Sequence, residues 1–172
     1  MILSYKNIEP DTSKAVFIAE SADIIGDVTL GEDSNIWFNT TLRGDIAPIR
    51  VGKGTNIQDG AVLHVNHDMP CIVGDNVTVG HSAVIHAAKV GNGCLIGMGA
   101  ILLNESEIGE ESVVGAGALV TEGKKFPPRS LIIGSPARKV KDITDEDVIK
   151  IRANADEYIT LGKETAKSRK LI

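Results

Sequence analysis

Aromatic side chains are nearly missing from this 172-residue chain, with Trp, Tyr and Phe together at 3% against 42% hydrophobic residues overall. An interior so poor in rings must be narrow and filled with aliphatic and small side chains, because Phe and Trp need a wider space. Cysteine is scarce as well. Cys71 and Cys94 are too few for a disulfide framework, and Cys94 reads as a buried small hydrophobe. There is no excess of positive charge: 18 Lys and Arg against 23 Asp and Glu leave −5, which argues against nucleic acid or an anionic membrane as the main partner. No apolar run approaches the roughly 18 residues of a membrane span, and no stretch has the charged start, apolar middle and small-residue cleavage site of a signal peptide. These absences lead us to expect a cytoplasmic protein.

What the chain has is a repeat. Aliphatic residues fall at Ile18, Ile24, Leu30, Ile36 and Leu42, then at Val51, Ile57 and Leu63, at Val73, Val79 and Ile85, and at Val90, Ile96, Leu102, Ile108, Val114 and Val120. The spacing is six within each series, a period that neither a helix (3.6) nor a strand (2) explains. Gly often follows the aliphatic residue, as in Val51-Gly52 and Val79-Gly80, and a small residue such as Ala61, Ala83 or Cys94 comes four places after it. A six-residue unit suits a short strand plus a corner, and three units close one triangular coil that stacks on the last at about 4.8 Å. The expected fold is an all-β solenoid over residues 18–123, after a lead-in at 1–17. An extended exit over 124–143 follows, with Pro127 and Pro128 unable to join interior pairing. A C-terminal helix and tail occupy 144–172. Thr144 is its expected N-cap, Ile143 and Val148 its hydrophobic staple, and Val148, Ile151, Ala155, Tyr158, Ile159 and Gly162 one face of it.

Two series breaks fix the columns. Nine residues separate Leu42 from Val51 and ten separate Leu63 from Val73, so three and four residues must bulge from corners. With those removed, Arg43, His64 and His86 stack in one outward column on successive coils. Imidazoles on adjacent coils can converge on one ion at about 2.0–2.1 Å from each nitrogen. His81, five residues before His86, lies around a corner on the previous face. If all three bind one metal, His81 comes from another subunit, and a ring in which every chain gives and receives closes most simply as a homotrimer. The same outward surfaces carry Arg43, Asp45, Gln58 and Asp59.

Arg43-Gly44-Asp45, Gln58-Asp59-Gly60, His64, the run Gly80-His81-Ser82-Ala83-Val84-Ile85-His86 and the Gly134-Ser135-Pro136-Ala137 exit resemble the gamma-class carbonic anhydrases and their close relatives, over nearly the whole chain. The resemblance implies a left-handed parallel β-helix of hexapeptide repeats assembled as a trimer. It implies Zn²⁺, or Fe²⁺ or Co²⁺, held by His64 and His86 of one chain and His81 of its neighbour, with bound water acidified enough to hydrate CO₂ to bicarbonate. Gln58 matches the residue that hydrogen-bonds this water, Arg43, Asp45 and Asp59 match polar residues around the ligands, and Tyr158 is a candidate for the pocket wall. The positions of the family archetype's proton-shuttle glutamates hold Ile46 and the loop Asn66–Met69, which includes His67. Two other readings stand beside this one: an acyl-CoA thioesterase or acyltransferase working in the intersubunit groove, and a non-catalytic metal-binding trimer.

Overall fold

The computed structural model describes residues 1–168, which form a parallel β-solenoid of about seven turns followed by one helix. Three ladders of short strands make its sides. One stacks Phe17–Ile18, Asn35–Ile36, Asn56–Ile57, Thr78–Val79, Leu95–Ile96 and Val113–Val114 in parallel register. A second stacks Val62–His64, Val84–His86, Ile101–Leu102 and Leu119–Val120, and a third stacks Cys71–Val73, Lys89–Val90, Glu107–Ile108 and Lys125–Phe126. The long strand Thr41–Val51 runs through both of these.

The six-residue period places one aliphatic side chain per face on the axis. Ile24, Leu42, Leu63, Ile85, Leu102 and Val120 pair in succession and have no exposed surface. The small residues of the period, Ala61, Ala83, Cys94 and Ala100 among them, are buried at the corners. Stacking also explains the aliphatic-Gly pairs. A Cβ on Gly52 would lie 2.4 Å from the backbone of Gly74 on the next coil, so adjacent coils meet there with no room for a side chain.

The first series break is a bulge within Thr41–Val51, where the pairing with Asp23–Leu30 shifts register between Gly26 and Val28. The second is a tight turn closed by reciprocal backbone bonds between Asn66 and Met69. The stack itself continues beyond 123, where the repeat suggested an exit. Phe126 pairs with Ile108 and Ile132 with Val114, and only then does the chain reverse into the antiparallel pair Ser130–Gly134 and Ala137–Asp142. Phe126 sits in the terminal rung of its ladder, where no further coil limits its size.

The helix spans Asp145–Ser168; residues 169–172, the end of the tail, lie outside the described residues. Thr144 and Asp147 form its capping box: Thr144 Oγ1 accepts the Asp147 N–H at 3.2 Å, and Asp147 Oδ2 accepts the Thr144 N–H at 3.1 Å. Ile151, Ala155 and Gly162 are buried against the first ladder of the same chain. Here the scarce rings gather, outside the prism: Phe17, Trp37 and Tyr158 pack between ladder and helix, with Tyr158 edge-on to Trp37 at 5.6 Å. Polar bonds pin the same seam, from Trp37 Nε1 to Asn35 Oδ1 at 2.7 Å and from the Thr78 hydroxyl to Asn154 Oδ1 at 2.9 Å. No helix among the described residues is long and apolar enough to cross a membrane.

Candidate metal centre

Arg43, His64 and His86 stand in one column, Arg43 paired with His64 and His64 with His86 on successive coils. The two imidazoles face one another, with His64 Nδ1 and His86 Nε2 3.1 Å apart. Each ring is held from behind. His64 Nε2 lies 3.1 Å from Asp45 Oδ1, and His86 Nδ1 lies 2.6 Å from Asn104 Oδ1. Asp45 is in turn ion-paired with Arg43. Burial raises the Asp45 carboxyl, but hydrogen bonds from His64, its own backbone and Arg43, with the Arg43 charge, outweigh it and hold the group below the usual carboxylate range.

These partners decide the tautomers. A carboxylate and an amide oxygen only accept, so the outer nitrogens, His64 Nε2 and His86 Nδ1, carry the protons. The inner nitrogens, His64 Nδ1 and His86 Nε2, then present two lone pairs to each other. Lone pairs so placed repel unless a cation sits between them, and ligands of a tetrahedral ion at about 2.05 Å stand about 3.3 Å from each other. The donor set therefore fits a divalent metal. The His64 pKa is lowered: burial first, then electrostatic repulsion from Arg43 and His86, prevail over the opposing hydrogen bond and charge of Asp45.

His81 is elsewhere on the chain. It lies in the corner between the first and second ladders, where its Nδ1 meets Asp59 Oδ2 at 2.8 Å and its Nε2 points away from that bond. It lines a cleft of about 190 Å³ with Gln58, Tyr158, Asn154 and Met98. Gln58 is buried and donates to Asn56 Oδ1 at 3.1 Å; the Tyr158 hydroxyl is raised in pKa by burial and by the negative charges of Asp59 and Glu157. The residues singled out in the sequence thus fall into two separate groups: Arg43, Asp45, His64 and His86 on one side, Gln58, Asp59, His81 and Tyr158 on the other. Among the described residues of one chain, no three His, Cys, Asp or Glu side chains come together to hold a metal. Asn104, which orients His86, escaped the sequence reading. Its signal was its place on the coil after His86, immediately beyond the histidine column.

Cys71 and Cys94 are free and buried, and burial pushes both thiols up to about 12, which leaves them protonated and inert.

The bacterial transferase hexapeptide (six repeats) model matches residues 87–122. A Geobacillus kaustophilus protein named carbonic anhydrase is 45% identical over 163 residues, 95% of this chain and 90% of that one. The chain belongs to the gamma carbonic anhydrase family. An Arabidopsis thaliana member, the mitochondrial gamma carbonic anhydrase 2, is 42% identical over 160 residues, 90% of this chain but 58% of its own length. Gamma-type relatives also share their fold with proteins described differently. A solved Bacillus cereus structure, provisionally described as an acetyltransferase, superposes with a TM-score of 0.95 at 42% identity over 98% of both chains.

The column has a consequence for stability in the metal-free chain. Both His64 and Asp45 have folded pKa values below their ordinary ones. As pH falls below His64's ordinary 6.5, the unfolded chain takes up a proton that the folded chain resists, so stability drops; the Asp45 contribution is lost at still lower pH, as its folded pKa is passed. Chelator-treated protein is therefore expected to melt at progressively lower temperature as pH is reduced from 7 to 4, and a His64→Gln variant should show a flatter profile above pH 5. Parallel profiles would show that His64 is not the group responsible.

Proposed function

We propose that the chain is the subunit of a homotrimeric, metal-dependent carbonic anhydrase. In each of its interfaces His64 and His86 of one chain and His81 of the neighbour hold Zn²⁺, Fe²⁺ or Co²⁺. The observation that carries this reading is the pair of inner histidine nitrogens 3.1 Å apart, each ring tied at its other nitrogen to an oxygen. A second observation supports the assembly. The face between the His81 corner and the His64–His86 column carries an outward stripe of Val62, Val84, Ile101 and Leu119 in register, all incompletely buried in the single chain. A neighbour covering this stripe would bury apolar surface and carry one half-site towards the other.

When bound, the ion supplies Lewis acidity that brings the pKa of a coordinated water from 15.7 to about 7, so that hydroxide is available near neutral pH. The protein's own groups do the rest. Asp45, Asp59 and Asn104 fix the orientation of the three rings, and the charge on Asp45 is balanced by Arg43. Gln58, held by Asn56, keeps its own carbonyl oxygen free to accept a hydrogen bond in the cleft beside His81. The apolar stripe keeps bulk water from the seam. CO₂, small and apolar, suits such a seam.

Protein purified without oxygen or chelator is expected to contain about one metal per chain, since a threefold ring has as many interfaces as chains. The same preparation should hydrate CO₂ and leave acyl-CoA thioesters intact. Transfer or hydrolysis of acetyl-CoA without CO₂ hydration would favour the acyl-group reading that the Bacillus cereus relative suggests, and a metal-free protein that takes up no Zn²⁺, Co²⁺ or Fe²⁺ would overturn both the site and its chemistry.

A further inference from the structure

Beside Asp45, whose carboxylate meets His64, lies a cavity of about 400 Å³ lined also by Ile46 and His67. Two turns form its rim. Tyr5 and Ile8 exchange backbone hydrogen bonds of 3.0 Å around Lys6 and Asn7, and Asn66 and Met69 do the same at 3.2 and 3.0 Å around His67 and Asp68. Each turn places a nitrogen-bearing side chain, Lys6 or His67, on the cavity, and between them the wall is apolar, made by Ile8, Ile46, Ala47 and Pro48.

With both carboxylates of its lining held by arginines, the uncompensated charge on this cavity is that of Lys6. Its two carboxylates are already committed: Asp27 is ion-paired with Arg50 at 2.7 Å, and Asp45 with Arg43 while also accepting from His64. Among the described residues Lys6 has no acidic partner, its ammonium lying 5.2 Å over the Tyr5 ring, and the His67 ring meets no carboxylate. Lys6 also holds a backbone φ of 50°, the left-handed region in which Asn or Gly is at ease and a lysine is strained.

We propose that this cavity binds a short-chain aliphatic carboxylate, its carboxylate group between Lys6 and His67 and its alkyl tail on Ile8, Ile46, Ala47 and Pro48. A spherical halide or a bare bicarbonate would meet the Lys6 ammonium and the His67 ring but leave the apolar wall unused. A tail of a few carbons uses both, and the cavity is large enough for it. All of these lining residues belong to one chain, and none of the three histidines of the candidate metal centre is among them.

The test is a titration of metal-stripped and of metal-loaded protein with acetate, propionate, butyrate, bicarbonate and chloride at constant ionic strength, followed by NMR at the His67 ring and the Lys6 side chain. Butyrate is expected to shift both signals. Affinity should rise about twofold for each methylene from acetate to butyrate, less than the roughly fourfold of full burial because Ile8 and Ile46 remain half exposed. Lys6→Asn, which removes the charge while suiting the turn, should weaken butyrate binding about three- to fivefold with the melting temperature unchanged or raised. The inference is overturned if affinity is the same for bicarbonate and butyrate, if Lys6→Asn binds butyrate as well as the parent, or if the shifts appear at His64, His81 and His86 and not at His67. The last result would assign the anion to the candidate metal centre. A metal-free chain that still binds butyrate at His67 would leave this site standing while the proposal for the interface failed.

Discussion

Trimers reassembled from an equal mixture of His64→Ala and His81→Ala chains are expected to bind metal at about a quarter of their interfaces, while trimers of either variant alone bind little. Each proposed site draws His64 and His86 from one chain and His81 from the next, so it is complete only where a His81→Ala chain gives the pair and a His64→Ala chain gives the third ligand; random order around the ring makes that about one interface in four. The structure motivates the experiment directly. His64 and His86 touch, whereas His81 is bound to Asp59 in another corner, and no single chain gathers three metal-ligating side chains among its described residues. Metal content measured after unfolding and refolding the mixture, with circular dichroism to show that each variant regains its β-solenoid, separates the alternatives. No recovery in the mixture would mean that all the ligands of any site come from one chain, and the shared centre would be wrong.

How far the sequence leads can be traced residue by residue. The prism was legible because the hexapeptide period is a local rule that every coil obeys, and removing the two insertions put Arg43, His64 and His86 in the column where the structure has them. His81's isolation followed from the same arithmetic. The end of the stack was not legible. Phe126 and Ile132 keep the six-residue spacing from Val120, and Ser130 is the small residue four places after Phe126, but neither is followed by Gly, and an aromatic side chain with Pro127 and Pro128 after it masks the repeat. Nor was the gathering of rings under the helix: Phe17 opens its strand and Trp37 directly follows Asn35–Ile36, and both rings pack beneath the helix that docks through Ile151, Ala155 and Gly162. The helix pattern showed which face was apolar but not which prism it would cover; the Thr78–Asn154 bond and the fit of Gly162 against Phe17 and Asn35 place it on its own. The charge compensation at Asp45 likewise needed three dimensions, since Arg43 reaches it from two residues back on the same strand but His64 only from the next coil.

Asn104→Leu is expected to lower metal affinity by about 10- to 100-fold, the range found when a hydrogen-bond partner behind a metal-binding histidine is lost. The reason lies in one proton. With Asn104 Oδ1 2.6 Å from Nδ1, the His86 ring keeps its proton on that side and its lone pair on Nε2, facing His64. Without an acceptor the ring can turn or exchange tautomers, and either change removes a ligand nitrogen from the site. The fold should survive the substitution. Asn104 is only partly buried, and its place in the stack is held by its backbone carbonyl, which accepts the Gly123 N–H at 2.8 Å. Asn104→Asp keeps an acceptor at the same distance and strengthens it with charge, so it should bind metal at least as tightly as the parent. Affinities from competition with a chelator, measured beside melting temperatures, decide the matter: a Leu variant that binds like the parent would show that His86 is oriented by something other than Asn104, whereas a loss shared equally by Leu and Asp would show that the amide's donor, not its oxygen, is what the ring requires.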